Sequence, residues 1–184
     1  MKKIGFILAA LIFLTGCSWG NKEIKTDTPT KKTETFFSNY QKLDEDVLEQ
    51  LDDVVDNQET LTENQKLEYK ELIKKHYQNL EYTIKNEVIN GNAATVTTEI
   101  KVLDYSKIMK DADLYLETNK NKFNDSEGNY DIALFNEYRI EKLKASTQKV
   151  SYTLNITFTK IDNEWIMDSI SDLEESKING NYIY

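Results

Sequence analysis

The chain of 184 residues has one cysteine, one histidine and one proline, and these scarcities close off several classes of function. Cys17 has no intramolecular partner, so no disulfide can staple the fold and the core must hold it. His76 lacks the second histidine or further cysteines that a zinc site needs, so no metal is expected. No apolar run reaches the roughly 20 residues that a membrane-crossing helix requires. GxSxG, HExxH, phosphate-loop and dinucleotide patterns are all missing, and no cofactor is expected. Basic residues are in deficit, 23 Lys and Arg against 32 Asp and Glu, for a formal charge of −9. Nucleic acid, whose phosphates demand basic patches, is excluded as a partner.

The N-terminus carries a targeting pattern. Met1-Lys2-Lys3 supplies a positive start, and residues 4–14 are apolar apart from Gly5, the arrangement of a secretion signal rather than a permanent anchor. The run ends in Leu14-Thr15-Gly16-Cys17, which resembles the lipobox of bacterial lipoproteins. The resemblance implies that residues 1–16 are removed and that the Cys17 sulfur carries a diacylglycerol, whose two acyl chains satisfy the two-signal rule for stable anchoring. The expected address is the extracytoplasmic face of the cell membrane. Residues 17–32 are polar, hold the only proline and show no apolar period, so they are expected to be a flexible tether. Without Lys2 and Lys3 the chain counts 21 basic and 32 acidic residues, a formal −11.

Residues 33–184 are one domain's worth of chain. Phe36, Tyr40, Leu43, Val47, Leu51 and Val54 recur at helical spacing and predict one helix over 34–56. Thr62 and Gln65 form a capping-box pattern ahead of a second helix bearing Tyr69, Ile73 and Leu80. The period then falls to two. Tyr82, Ile84 and Val88, a turn at Asn90-Gly91, and Val96, Ile100 and Val102 predict a hairpin. Two further helices are expected within 106–145, around the turn-rich 124–129. Val150, Tyr152, Leu154, Ile156 and Phe158 alternate with polar residues, and Asp162-Asn163 turns the chain into a last strand over 164–171.

Two hairpins with helices on one face make an α+β architecture. With the strand segments 82–84 and 91–102 and the closing Lys160-Ile161-Asp162-Asn163-Glu164-Trp165, the pattern resembles the NTF2-like, cystatin-like fold. It departs from that fold in placing two helical segments between the strand pairs. Members of such a fold include enzymes, binding modules and inert scaffolds.

Five residues are candidates for a pocket. His76 lies on the apolar face of the second helix, where it reads either as a buried neutral residue with one hydrogen bond or as a general base. Asp104 ends a strand in inward parity, positioned to reach a cavity mouth or to cap the next helix. Arg139, the lone arginine, shares a face with Phe135 and has no acid three or four residues away, so it needs a distant partner: an ion pair or a ligand anion. Tyr82 and Tyr152 lie on the inward stripe of their strands. Asp125, Glu127, Asn129 and Asp131 alternate like a calcium loop, but Gly128 falls at the fourth position and Asn136 stands where the twelfth needs a glutamate. The acids Asp44 to Asp46, Asp52, Asp53 and Asp56 read as a solvated helix face.

The favoured function is a membrane-anchored binding or accessory module acting on an extracytoplasmic protein or small molecule. The alternatives are a small-molecule enzyme using a His/Asp/Tyr pocket and a structural or assembly lipoprotein without ligand. Convergence of His76, Asp104 and Arg139 on one cavity separates them.

Overall fold

A computed structural model describes residues 27–183; the signal segment, Cys17 and most of the expected tether lie outside them. In order, the elements are α1 (Pro29–Lys42), α2 (Glu45–Asp56), α3 (Glu63–Gln78), β1 (Glu81–Asn90), β2 (Ala93–Leu103), α4 (Tyr105–Thr118), a single 3₁₀ turn (Lys120–Phe123), α5 (Ile132–Lys144), β3 (Lys149–Ile161), β4 (Glu164–Met167) and α6 (Asp172–Ile178). The four strands form one antiparallel sheet in the order β1-β2-β3-β4.

One face of that sheet is dry. Ala94, Val96, Ile100 and Val102 of β2 and Leu154, Ile156 and Phe158 of β3 are all buried, because strict alternation sends them to a single side. Phe37 of α1, Leu80 after α3 and Ile178 of α6 cover them. A second core, built from Val47, Leu51, Leu72, Ile73, Tyr105 and Leu143, joins α2, α3, α4 and α5 beyond the end of the sheet. The opposite sheet face, with Thr95, Thr97, Thr153 and Thr157, meets solvent or is half-buried.

Several expectations need correction. The tether does not reach residue 32, because Thr28 accepts a hydrogen bond from Lys31 N and Pro29 occupies the first turn of α1, where its missing N–H costs nothing. The single helix expected over 34–56 is two. Leu43 adopts φ 55°, in the left-handed region, and Asp44 restarts the chain by accepting from Val47 N. Asp44 is thus a helix cap rather than part of a solvated face. The first hairpin turns at Gly91 and Asn92, one residue later than expected, with Asn90 opposite Ala93 and Gly91 at φ 60°.

A β-bulge between Ile84 and Asn86 has a larger consequence. Tyr82 and Ile84 face the core opposite Ile100 and Thr98, but the extra residue, Lys85, reverses parity, and Val88 stands opposite Thr95 on the outer face. It is 55% exposed there, as a one-residue slip dictates. At the other end of the chain, β4 stops at Met167, and the rest of the expected last strand, 168–171, is the connection that leads to α6, with Ser171 as its N-cap. Ser171 and Glu174 cap α6 reciprocally, a pattern present in the sequence. Side chains of α6 reach the free edge of β3: Asn155 N donates to Glu174 Oε1 at 3.3 Å, and Lys177 Nζ lies 3.5 Å from Thr153 O.

Candidate functional site

The C-terminal segment organises the helical end of the molecule. Gly180, at φ 68°, brings its own backbone against Leu103 and His76, so close that a Cβ would lie 2.2 Å from Leu103 O and 2.9 Å from His76 Cε1. This approach lets Ser106 N donate to Gly180 O at 2.9 Å and sets Ile178 O 2.8 Å from His76 Nε2. Tyr77 Oη donates to Asn179 Oδ1 at 2.9 Å. The segment after α6 is therefore tied to α3 and to the start of α4.

His76 is 1% exposed. Its Nε2–H donates to the Ile178 carbonyl, which makes Nδ1 the bare nitrogen, and Nδ1 is buried with no hydrogen-bond partner among the described residues. Burial pushes its pKa down to about 4; the Ile178 hydrogen bond partly opposes that shift and Lys149 adds to it. The ring stays neutral at physiological pH. Asp104 is also buried, and its Oδ1 accepts from Lys107 N and Ser106 Oγ, both at 3.1 Å, as the N-cap of α4. Tyr82 and Tyr152 flank Ile100 on the core face of the sheet. Tyr82 stacks on Phe37 and Tyr152 meets Tyr182 edge-on.

Arg139 lies elsewhere. It pairs through Nη2 with Asp113 of α4 and stacks over Phe135 at 4.3 Å, while its Nε is buried without a partner among the described residues. The distant acid expected for it is Asp113. Arg139 is the one member of the five-residue candidate set that lines a partly enclosed cavity of about 220 Å³ among α2, α3, α4, α5 and the C-terminal segment; larger but more open clefts lie along α4 and beside α3. The convergence of His76, Asp104, Arg139, Tyr82 and Tyr152 on one pocket does not occur. His76 is covered by residues 178–180, Asp104 turns to its own helix, and the two tyrosines pack on the sheet.

Residues outside the five-residue candidate set build most of the cavity. Leu51, Ile73, Ile140 and Leu143 form apolar walls, Val54 stands 43% exposed at the mouth, and Asn136 is buried. Tyr69, Tyr77 and Tyr105 also line it. Burial raises the pKa of all three hydroxyls, and that of the adjoining Tyr40 to about 12, so they stay protonated at any physiological pH. Asn136 Nδ2 is committed to Thr60 O at 2.8 Å, holding the 58–61 loop against α5. An apolar chamber with a few neutral hydrogen-bonding groups and one ion-paired arginine suits a small neutral molecule with an apolar body. A signal was available in the sequence: Tyr69, Ile73 and Tyr77 recur every four residues on α3.

No family model matches the chain, and no curated protein matches it. Among solved structures it is similar to the crystal structure of a Bacillus subtilis chain described as a lipoprotein (ycdA), at 17% identity and a TM-score of 0.40. The alignment covers 89% of this chain and 51% of that one, so the chain spans about half the length of that structure, and at this TM-score the likeness carries no argument.

Proposed function

We propose that this chain is a lipid-anchored lipoprotein of the extracytoplasmic membrane face, held by Cys17, whose NTF2-like α+β domain, beginning with α1, binds a small neutral molecule in the helical cavity. The anchor is supported by the positive start, the apolar run over 4–14 and the Leu14-Thr15-Gly16-Cys17 motif. Among the described residues no helix is long and apolar enough to cross a membrane. The four-stranded sheet with helices on one face supports the domain reading. The observation that carries the binding role is the 220 Å³ chamber with apolar walls and protonated tyrosine hydroxyls. Neither His76 nor Asp104 lines it, so nothing favours the enzyme reading.

Two measurements test this reading. Cys17→Ala is expected to leave the domain folded and to move it from the membrane fraction to the soluble fraction or the medium, since the acyl chains supply the anchoring. A Cys17→Ala protein that remains with membranes through a high-salt wash defeats the anchor. For the cavity, titration with N-phenyl-1-naphthylamine, a neutral dye that brightens in apolar surroundings, should give saturable binding. Val54→Trp, which places an indole across the mouth, should weaken that binding about tenfold or more, the equivalent of about 1.4 kcal/mol. Equal affinity for both proteins, or no saturation, excludes the cavity as the binding site.

A further inference from the structure

Both hairpin turns lie at one end of the sheet: Ala93 stands opposite Thr159, and Lys160 N donates to Asn92 O at 2.7 Å. The N-terminal boundary of the described chain is at the same end. Asp27 Oδ2 accepts from Trp165 N at 3.1 Å, and Thr30 N donates to Glu87 Oε2 at 2.8 Å. Cys17 is ten positions before Asp27. A stretch of that length spans at most about 35 Å.

This end carries four exposed aliphatic side chains: Val88 (55%), Ile89 (53%), Ile161 (54%) and Ile166 (45%). Single exposed aliphatics are ordinary. These four differ in sharing the end where the described chain begins, and register puts Val88 and Ile166 on one outer face, opposite Thr95 and Thr159. The charge at this end is mildly acidic, with Lys32 and Lys160 against Asp27, Glu87, Asp162 and Glu164. Lys32 pairs with Asp27, Thr30 covers Glu87, and Lys160 stands beside Asp162 and Glu164. An end with exposed aliphatic side chains, close in sequence to the proposed anchor, is suited to the headgroup boundary.

We propose that the hairpin end is a second membrane contact, at which Val88, Ile161 and Ile166 rest in the interface of the bilayer that holds Cys17. This rests on the lipid-anchor reading. Its consequence is orientation. β2 runs from Ala93 at the turns to Leu103, and its 11 residues span about 35 Å. Tyr105 and Met109, which line the cavity, follow directly. The cavity is thus held away from the membrane and open to the space outside it.

The test is hydrogen–deuterium exchange on the full lipidated chain, free in detergent and reconstituted in vesicles of phosphatidylethanolamine and phosphatidylglycerol. Exposed turn amides exchange fast, so contact is visible as slowing. Amides in 87–92 and 160–166 should slow by about fivefold or more on vesicles, while those in α2 and α5 remain unchanged. The double variant Ile161→Asp, Ile166→Asp, at exposed positions that leave the core intact, should float with the vesicles yet lose that slowing. Flotation with unchanged turn exchange overturns the contact while leaving the anchor standing. Failure to float overturns the anchor and the contact together. Slowing of the same amides in Cys17→Ala that grows with protein concentration assigns the patch to a second copy and overturns the membrane contact.

Discussion

Gly180→Ala is expected to lower stability by about 4 kcal/mol, because one methyl group cannot be placed without separating two parts of the backbone. An alanine at φ 68° costs about 1–2 kcal/mol by conformation alone. Its Cβ would also lie 2.2 Å from Leu103 O, and a backbone atom cannot swing aside as a side-chain tip can. The segment must lift, and lifting it strips the bonds from Ser106 N to Gly180 O and from His76 Nε2 to Ile178 O. A buried polar group left unpaired costs about 1–3 kcal/mol. In a domain of this size the loss corresponds to a fall in Tm of about 10 °C. Urea unfolding measures it. A loss below about 1 kcal/mol would mean that the tail is not clamped as described.

Acid should destabilise the protein through His76, over a pH range where few other groups act. Its folded pKa is about 4 against 6.5 unperturbed. Between those values the unfolded chain takes up a proton that the folded chain refuses. Stability is therefore fully present above pH 6.5 and declines as pH falls toward 4, by roughly 3 kcal/mol in all. The cause is burial: a proton on Nδ1 would be held away from water with no acceptor among the described residues. Carboxylates titrate mostly below pH 4.5, so the decline between pH 6.5 and 4.5 belongs to the histidine. His76→Gln retains a donor for Ile178 O and has nothing to titrate. Its stability should be nearly flat over that interval, and a slope equal to that of the parent chain would remove His76 as the origin.

The parts of the fold that were legible in advance depend on local repetition. The alternation of β2 and β3 runs for many residues without interruption and placed Val96, Ile100, Leu154 and Ile156 in the core, where they are buried. The capping box at Thr62 and Gln65 marked the start of α3. Single-residue events were not legible. The bulge at Lys85 changes no composition, yet it turns Val88 outward. Leu43 breaks a helical pattern from a left-handed conformation that leucine seldom adopts. The Ser171 and Glu174 capping box was readable, but it follows directly on a segment that alternates like a strand, and α6 is only 7 residues long.

The candidate site was less legible, for a related reason. His76 and Asp104 drew attention as rare or well-placed polar residues, but rarity says little about which side chain meets a void. His76 serves the clamp on the C-terminal segment, and Asp104 serves the start of α4. The cavity arises where four helices fail to close completely. That depends on crossing geometry among α2, α3, α4 and α5, so Tyr69, Tyr105 and Asn136 acquire their place from tertiary packing that no single stretch encodes. Arg139 was readable because a lone arginine without a local acid needs a partner, and Asp113 supplies it.

The short helix α6 has a further effect through where it lies. β4 pairs with β3 only at 158–161, which leaves the rest of that edge open to pairing. Glu174 occupies Asn155 N, Lys177 approaches Thr153 O, and Asp168 N takes Thr157 O. An unoccupied strand edge is a template on which an identical chain can add itself. Molecules fixed to a two-dimensional surface meet one another far more often than molecules free in solution. Glu174, Lys177 and the Asp168 amide cover part of this edge, and if the chain is tethered as proposed, that cover would oppose pairing of neighbouring copies through β3.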